Sequence, residues 1–425
     1  MAAPLAPSSS EPSNAYRWYS VGILALIYAS SSVDRQIMGI LLQPIKNELG
    51  ASDTQMGFLV GLTFALFYAT LGMPIAMFAD RNNRRNVIAA AISVWSIMTV
   101  ACGFVTNFWQ MALARMGVAT GEAGSTPASH SMISDLFGPH ERASALALFS
   151  VGANVGLLIS YLGGGWMVDN IGWRSAFYVV GLPGLLIAGI LLLTVREPAR
   201  GAKEAALRDV EPVSFGETVS FMFRHPAIRH IVFGKALGGF VSYGLILWVP
   251  AFLARSHGIS ATRVGFTLAM VLGVGGAIGT LLSGRIVDAL GRRDPRWRVW
   301  AIAISNIAPL PLSIGFLVVD DFNLAIGLYV LPAMFGAFYI APSAALIQQL
   351  VDVRMRALAS AISMFMTNMI GMGLGPQGVG IMSDLLEPHF GTDSLRWALV
   401  IFLFVNVWGA LHFVLAGRHL KNSHA

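Results

Sequence analysis

Apolar stretches of roughly 20 residues recur along the chain between short polar segments, and each is long enough for a helix to cross about 30 Å of hydrocarbon. They form two sets of six. The stretches centre on residues 16–43, 56–79, 87–105, 109–133, 143–168, 176–195, 231–253, 264–282, 299–319, 324–350, 357–382 and 397–415. The pattern predicts an all-α integral membrane protein with twelve transmembrane helices in two six-helix bundles.

The longest polar segment, 196–225, separates the two sets. This division predicts a disordered tail, a first bundle, a linker, a second bundle and a second tail. In order, these are residues 1–15, 16–197, 198–225, 226–418 and 419–425. Residues 215–223 of the linker fit either a short helix at the membrane surface or a plain flexible connection.

Composition supports a membrane protein, since 55% of the residues are hydrophobic and only 12% are charged, against about 25% charged in a soluble domain. The net charge of +6 comes from short basic clusters between apolar stretches, so nucleic acid is not an expected partner. The single cysteine, Cys102, excludes an intrachain disulfide and any CxxC metal site. We expect neither a metal nor a cofactor.

Lysine and arginine residues concentrate in the loops on one side of the predicted helices. That side carries the clusters around Arg84, Arg142, Arg292 and Arg356, whereas the opposite loops hold few basic residues. Because basic loops remain in the cytoplasm, both termini are predicted to be cytoplasmic. We expect a multi-pass, monomeric protein of a bacterial inner membrane.

The two halves repeat each other in sequence. A polar run, 80–85, follows the second apolar stretch, and a similar run, 284–293, follows the eighth. Arg142 opens the fifth stretch as Arg356 opens the eleventh. Related elements six helices apart indicate a duplicated six-helix unit, an architecture that places a binding site between the repeats.

The spacing Gly284-x-x-x-Asp288-x-x-Gly291-Arg292-Arg293 is similar to a loop motif of the major facilitator superfamily. The first-half copy departs from it, because Ala76 and Asn83 stand where the motif has glycine. Asparagine tolerates positive φ, so the turn can survive. The resemblance implies that superfamily's fold and transport by alternating access.

Within the superfamily, the first half resembles the spinster-like branch. The segments that carry this resemblance are Val33-Asp34-Arg35, Ser52-Asp53-x-Gln55-x-Gly57, Arg115-x-Gly117-x-x-x-Gly121-Glu122-Ala123, Ile171–Phe177 and Arg196-Glu197-Pro198. The resemblance implies cargo of the lysolipid or sphingoid-phosphate type. Organic-anion symporters of the superfamily share the Asp-Arg pair, so a small organic anion is the alternative cargo.

Ionisable residues at membrane depth are costly, by about 2.5–3.5 kcal/mol each on insertion scales, and usually face a cavity. Helical rise places Asp34 and Arg115 at similar depth on the first and fourth helices, where they can pair. Glu122 lies two turns beyond Arg115 on the same face. Arg35 points about 100° away from Asp34, so a direct role in substrate binding is the weaker interpretation.

These residues suggest a proton-coupled mechanism. Arg115 is expected to bind an anionic head group or hold a carboxylate, and Asp34 or Glu122 to take up a proton, because burial disfavours the charged form. The simpler alternative is a fixed ion pair that only stabilises helix packing. Further candidate substrate contacts are Arg35, Tyr243, Asn154 and Asn368, the last two at similar places in the two repeats.

The loops on the basic side predict a second feature. Asp80 with Arg142, and Asp288 with Arg356, are placed to form ion pairs at helix ends. The family resemblance makes these pairs, together with Arg84, Arg85 and Arg292, a cytoplasmic gate that is closed when the transporter faces outward and broken when it opens inward. The alternative is that the arginines only fix the orientation in the membrane.

Two other classes of function compete with transport. A membrane-embedded enzyme could use Glu122 with His130, but neither an HExxH motif nor a GxSxG motif accompanies them. A non-transporting sensor would need a signalling domain that the linker and tails are too short to supply. A Walker motif is also missing from the sequence, so an ion or substrate gradient is the expected energy source. We therefore predict a transporter and not an enzyme.

Overall fold

The computed structural model describes residues 13–200 and 213–420. Most of the predicted N-terminal tail, the middle of the predicted linker and the last residues of the chain lie outside the described residues. The described chain is helical, with no strand among its elements.

Six helices form the N-terminal half. They are α1 (Asn14–Leu49), α2 (Asp53–Arg81), α3 (Arg84–Cys102), α4 (Phe108–Glu122 continued by Ser125–Leu136), α5 (139–171) and α6 (173–194). The last two belong to one helical run that is divided at Gly172. The φ of Gly172 is 80°, a backbone conformation that glycine adopts without steric cost.

Six further helices form the C-terminal half, preceded by a linker helix, Phe215–Arg224. They are α7 (Pro226–His257), α8 (Ala261–Gly291), α9 (Trp297–Val318), α10 (Phe322–Leu350), α11 (Arg356–Met366 continued through Thr367–Leu374 to Gly375–Phe390) and α12 (Ser394–Leu403 continued by Val405–Leu420). The domain boundaries predicted from sequence remain predictions, although a helix does occupy the later part of the linker.

Eight helical stretches in the described chain are long and apolar enough to cross a membrane. Two of them, Pro139–Thr194 and Val353–Leu420, each contain two of the helices named above. The remaining two helices are α1, which carries Asp34 and Arg35 in its middle, and α4, which is broken into two short pieces. The helix pattern therefore matches the predicted series of twelve.

Helix ends follow from local sequence. Ser52 and Gln55 form a capping box at the start of α2, in which each side chain bonds the backbone N–H of the other residue. Gly50 and Gly258 end α1 and α7 with φ of 61° each, the left-handed termination that glycine favours.

Glycines also set how closely α1 and α5 approach. A Cβ at Gly152 would lie 2.3 Å from the carbonyl oxygen of Ala25, and one at Gly156 would lie 2.5 Å from that of Ala29. Both distances are far inside van der Waals contact, so only glycine permits this spacing. The Gly152-x-x-x-Gly156 run is thus a packing device within the N-terminal half.

The molecule has two ends, which we name by the chain. The termini end holds the start of α1 at Asn14 and the end of α12 at Leu420. The distal end holds the loops that follow Leu49 and His257.

The two halves are joined in the distal part of the molecule. In the part of the chain that the structure describes, all hydrogen bonds and ion pairs between the halves lie there. They link Gln43 and Asp53 to Arg255, Asp53 and Thr54 to Asp384, Asp53 to Ser383, Thr54 to Gln377, Tyr161 to Ile246, Asp169 to Ala261 and Thr262, and Gly165 to Thr262. The distal end is therefore closed by polar contacts.

Candidate functional site

A buried ion pair joins α1 to α4. Arg115 Nη1 lies 3.6 Å from Asp34 Oδ1, and the side chains are 2% and 1% exposed. The hydroxyl of Thr99 on α3 bonds both oxygens of Asp34 at 2.7 Å. The pair is thus enclosed by three helices of the N-terminal half, as the depth estimate from sequence predicted for Asp34 and Arg115.

A second ion pair lies beside the first. Arg35 Nε is 3.2 Å from Glu122 Oε2. Ser31 donates a hydrogen bond to the same Glu122 oxygen at 2.8 Å and accepts one from Arg35 at 3.1 Å. Glu122 is fully buried, whereas the Arg35 side chain is 23% exposed. Arg35 is therefore the most accessible charge of the four.

Sequence reasoning missed the pairing of Arg35 with Glu122. It placed Glu122 in one row with Asp34 and Arg115, and gave Arg35 the weaker role. The physical reason is side-chain direction, because helical side chains lean toward the N-terminus of their own helix. Arg35 reaches back one turn to the level of Ser31, where the antiparallel α4 presents Glu122.

Polar atoms in this cluster retain unused hydrogen-bonding capacity. Arg115 Nε and Nη1 and Glu122 Oε1 are buried and have no hydrogen-bond partner among the described residues. The 3.6 Å separation between Arg115 and Asp34 is an ion-pair distance but too long for a hydrogen bond. Buried polar groups left without partners are costly and rare in native proteins.

A cavity of about 530 Å³ lies mainly within the C-terminal half and reaches the N-terminal half at one edge. Its walls come mainly from α7–α10 and α12, while the N-terminal half contributes Gln36, Asn154 and Leu157. Tyr243 also lines it and interacts electrostatically with Arg35. Tyr243 is thus the cavity-lining residue that links the cavity to the charged cluster. Of the predicted substrate contacts, Asn154 and Tyr243 line this cavity, whereas Arg35, Arg115 and Asn368 are not among its lining residues in the described chain.

The far part of the cavity contains polar residues that sequence reasoning did not select. Ser305, Asn306, Ser313 and Asn406 line it among mainly apolar residues. Asn306 is 8% exposed, and its Nδ2 has no hydrogen-bond partner among the described residues. The available signal was an amide inside an apolar stretch, which equally fits contact between helices.

At the termini end, the predicted gate residues occupy different environments. Arg84 forms ion pairs with Asp135 at 2.5 Å and Glu197 at 2.7 Å, and Arg85 donates to the carbonyl of Val195 at 3.3 Å. Both arginines thus connect the start of α3 to the end of the N-terminal half.

The two predicted gate pairs are not formed in this conformation. Asp80 and Asp288 are exposed and have no ion-pair partner among residues 13–200 and 213–420. Arg142 donates to the carbonyl of Ser134 at 2.8 Å, and Arg292 and Arg356 are exposed. In the loop before α11, hydrogen bonds from the backbone and side chain of Arg354 lower the pKa of Asp352.

Asp53 is the centre of the strongest polar cluster at the distal end. It accepts from both terminal nitrogens of Arg255 at 2.7 and 2.6 Å, from Lys46 at 2.6 Å and from Ser383 at 2.6 Å. Lys46 and Arg255 are among the few basic residues of the loops opposite the basic side, and nothing in the sequence shows that the two halves meet there.

Comparisons with known proteins agree with this geometry. The family model described as Major Facilitator Superfamily matches residues 24–376. The chain belongs to the major facilitator superfamily. It is 36% identical over 405 residues to an MFS-type efflux pump of Mycolicibacterium smegmatis, which covers 95% of this chain and 93% of that protein. This membership confirms the predicted twelve-helix fold and the prediction that the protein is a membrane transporter and not an enzyme.

The resemblance to the spinster-like branch is also confirmed. The chain is 28% identical over 430 residues to human protein spinster homolog 1, which covers 93% of this chain and 79% of that protein. A solved bacterial homologue of the human lysosomal transporter spinster, in an inward-facing and unoccupied conformation, superposes with a TM-score of 0.90 at 31% identity. That match covers 97% of this chain and 99% of the other.

Proposed function

We propose that this transporter moves a small amphipathic or anionic solute, of the lysolipid or sphingoid-phosphate type, by proton-coupled alternating access. The observation that carries the proposal is the partly exposed Arg35, paired with the buried Glu122 beside a cavity with largely apolar walls. A guanidinium suits an anionic head group, and the apolar walls suit a hydrocarbon tail.

Arg35 and Glu122 support a competition mechanism. Arg35 cannot lose its proton, whereas Glu122 can gain one. An anionic head group that approaches Arg35 competes with Glu122 for the guanidinium. Protonation of Glu122 removes that competition and leaves Arg35 free to bind cargo. Proton uptake and cargo binding are thereby coupled.

Asp34 and Arg115 are assigned a supporting role. Both are almost fully enclosed, and Thr99 fixes the Asp34 carboxylate. The pair holds α1 against α4 and α3, and so keeps the neighbouring Arg35 in place. Protonation of Asp34 would loosen this contact and let α1 shift during the transport cycle.

The orientation of the protein follows from its basic loops. We assign the termini end to the cytoplasm of a bacterial cell, because the arginine clusters lie there. The closed distal end then faces outward and the conformation is open inward. The broken Asp80 and Asp288 gate pairs agree with this state, as does the similarity to an inward-facing spinster homologue.

Two kinds of cargo compete. Neither the similarity to an MFS-type efflux pump nor that to a spinster homologue distinguishes an organic anion from a lysolipid as the cargo. A volume of about 530 Å³ lies within the usual range for small-molecule sites. The extension of the cavity into the apolar C-terminal half favours cargo with a hydrocarbon tail over a compact anion.

Reconstituted protein can test this function. Proteoliposomes with an imposed pH gradient would be given a fluorescent lysophospholipid, sphingosine phosphate or benzoate, and internalised label would be measured after albumin extraction of the outer leaflet. We expect uptake of a lipid probe that rises with the gradient. Glu122→Gln should abolish the gradient dependence, and Arg35→Ala should abolish uptake.

A matched control is Asp320→Asn, since Asp320 is 86% exposed and is not among the residues that line the cavity. It should transport as the unmodified protein does. Gradient-dependent uptake of benzoate without lipid uptake would favour the organic-anion alternative. Full uptake in Arg35→Ala, together with uptake that still rises with the gradient in Glu122→Gln, would show that neither residue has the assigned role.

A further inference from the structure

Two carboxylates at the distal end each cap a helix of the opposite half. Asp384, near the end of α11, accepts hydrogen bonds from the backbone N–H groups of Asp53 at 3.0 Å and Thr54 at 2.7 Å, at the start of α2. Asp169, near the end of α5, accepts them from Ala261 at 3.2 Å and Thr262 at 2.7 Å, at the start of α8.

The two caps are related by the internal repeat. Each aspartate lies four residues after a glycine, in Gly165-x-x-x-Asp169 and Gly380-x-x-x-Asp384. A Cβ at Gly165 would lie 2.3 Å from the carbonyl oxygen of Ala261, and one at Gly380 would lie 2.2 Å from that of Asp53. The glycine brings the helices together and the aspartate caps the helix start, in the same way in both repeats.

Capping explains why each of these contacts is stabilising. The first N–H groups of a helix lack partners within the helix, and the helix dipole adds positive potential there. A carboxylate accepts hydrogen bonds from these N–H groups, and its negative charge is attracted by the positive potential. Because each carboxylate and its helix belong to different halves, these bonds exist only while the distal end is closed.

We propose that Asp169 and Asp384 form a symmetric pair of distal caps that hold the outer side of the transporter closed and open together during each cycle. They act as positioning residues and touch neither cargo nor the Arg35–Glu122 pair. The inference rests on alternating access within the proposed function, but does not depend on which solute or ion is moved.

The two caps should differ in strength. Asp384 is partly buried and lies beside the Asp53–Arg255 cluster, while Asp169 is exposed. Exposed charges are screened by solvent. Loss of one charge should raise the ratio of distal-open to distal-closed protein by about two- to fivefold, with the larger change for Asp384. Loss of both should be roughly multiplicative, because the sites are separate.

Distance measurements between spin labels can test the caps without cargo. One labelled pair, Asn170→Cys with Glu387→Cys, reports on the distal end. A second pair, His140→Cys with Val353→Cys, reports on the termini end. All four positions are exposed, and the only native cysteine, Cys102, is buried and can be replaced by alanine.

Asp169→Asn and Asp384→Asn, alone and combined, would be compared with Asp320→Asn. Asp320 is also a distal acid, but it pairs with Arg396 of its own half. We expect the cap variants to lengthen the distal distance and shorten the termini-end distance, and Asp320→Asn to change neither.

Opposite shifts at the two ends distinguish conformational change from unfolding, which would broaden both distances. Unchanged distances in a folded double variant would overturn the proposal, as would equal shifts in Asp320→Asn. If the double variant does not fold, the two single variants provide the same comparison. A failed uptake assay with normal spin-label shifts would contradict the assigned cargo but not the distal caps.

Discussion

At the scale of single residues, the four charges between α1 and α4 are not equivalent. Arg115 and Asp34 are both enclosed, so water cannot solvate either charge. Arg35 is partly exposed, and its partner Glu122 is a residue that can become neutral. Arginine remains charged under all physiological conditions. Replacing an acidic residue and replacing an arginine therefore have different consequences in this cluster, because only the acidic partner that remains can become neutral.

Asp34→Asn should destabilise the protein strongly, because it leaves the buried Arg115 cation without its carboxylate. The expected loss is about 3–5 kcal/mol. Arg35→Gln should cost less, since Glu122 can then take up a proton, and its cost should be smaller at pH 5 than at pH 8. Thermal unfolding in detergent at both pH values measures this. Equal losses that do not depend on pH would contradict the distinction.

Asn306→Leu should weaken cargo binding without lowering stability, because the Asn306 Nδ2 has no partner to lose. A cargo hydrogen bond of about 0.5–1.5 kcal/mol corresponds to roughly a two- to tenfold weaker affinity. Ser313→Ala is the matched control, since the Ser313 hydroxyl lines the same cavity but already donates to Pro309 at 3.0 Å. Affinities of both variants for the transported probe can be compared. An equal effect of both changes would argue against a specific role of Asn306.

Sequence reasoning could identify the charges of this cluster but not their connections. The cost of ionisable groups in a membrane singled out Asp34, Arg115 and Glu122, and helical rise placed the first two together. It could not give the rotation of α1 about its own axis, which decides where Arg35 points. The polar groups of the cavity were not predicted for a related reason. The local sequence around an asparagine such as Asn306 does not show whether it faces a cavity or a neighbouring helix.

At the scale of helices, two glycines of α5 allow close helix contacts that serve different purposes. Gly152 lets α5 approach α1 within the N-terminal half, whereas Gly165 lets α5 approach α8 of the C-terminal half. The first contact must persist throughout the transport cycle. The second must break when the distal end opens. Hydropathy fixes the number of helices and the duplicated motifs fix their pairing, but neither distinguishes a permanent contact from a transient one.

Gly165→Ala and Gly152→Ala should therefore behave differently. A Cβ at either position meets a carbonyl oxygen at 2.3 Å. The clash at Gly152 can be relieved only by distorting the N-terminal half, so that variant should lose about 1–3 kcal/mol of stability. The clash at Gly165 can be relieved by opening the distal end, so that variant should stay folded and populate the distal-open state.

Thermal unfolding and the distal spin-label distance together report both effects. Gly163→Ala is the control on the same helix, because its Cβ would meet only the end of the Met167 side chain, at 3.8 Å. It should change neither quantity. A strong loss of stability in Gly165→Ala with an unchanged distal distance would show that the α5–α8 contact is permanent.

At the scale of the whole molecule, the conformation is set by competing contacts at the two ends. The distal end carries the Asp53 cluster and the two caps, while Asp80 and Asp288 at the termini end are exposed and unpaired among the described residues. Interfaces between rigid halves tend to be bistable rather than continuously deformable. The outward-open state should therefore need ion pairs at the termini end that offset the distal contacts it loses.

Exchanging the charges of Asp288 and Arg356, the predicted gate pair of the C-terminal half, can detect such an ion pair. Arg356→Asp should repel Asp288, prevent closure of the termini end and slow transport, with little effect on stability because both side chains are exposed here. Adding Asp288→Arg restores opposite charges in exchanged positions and should recover most of the transport rate and the short termini-end distance. Because the exchange keeps net charge and topology signals equal, recovery could not come from orientation alone. If the double variant stayed as slow as Arg356→Asp, the arginine would serve orientation or another contact, and the outward-open state would need a different source of stability.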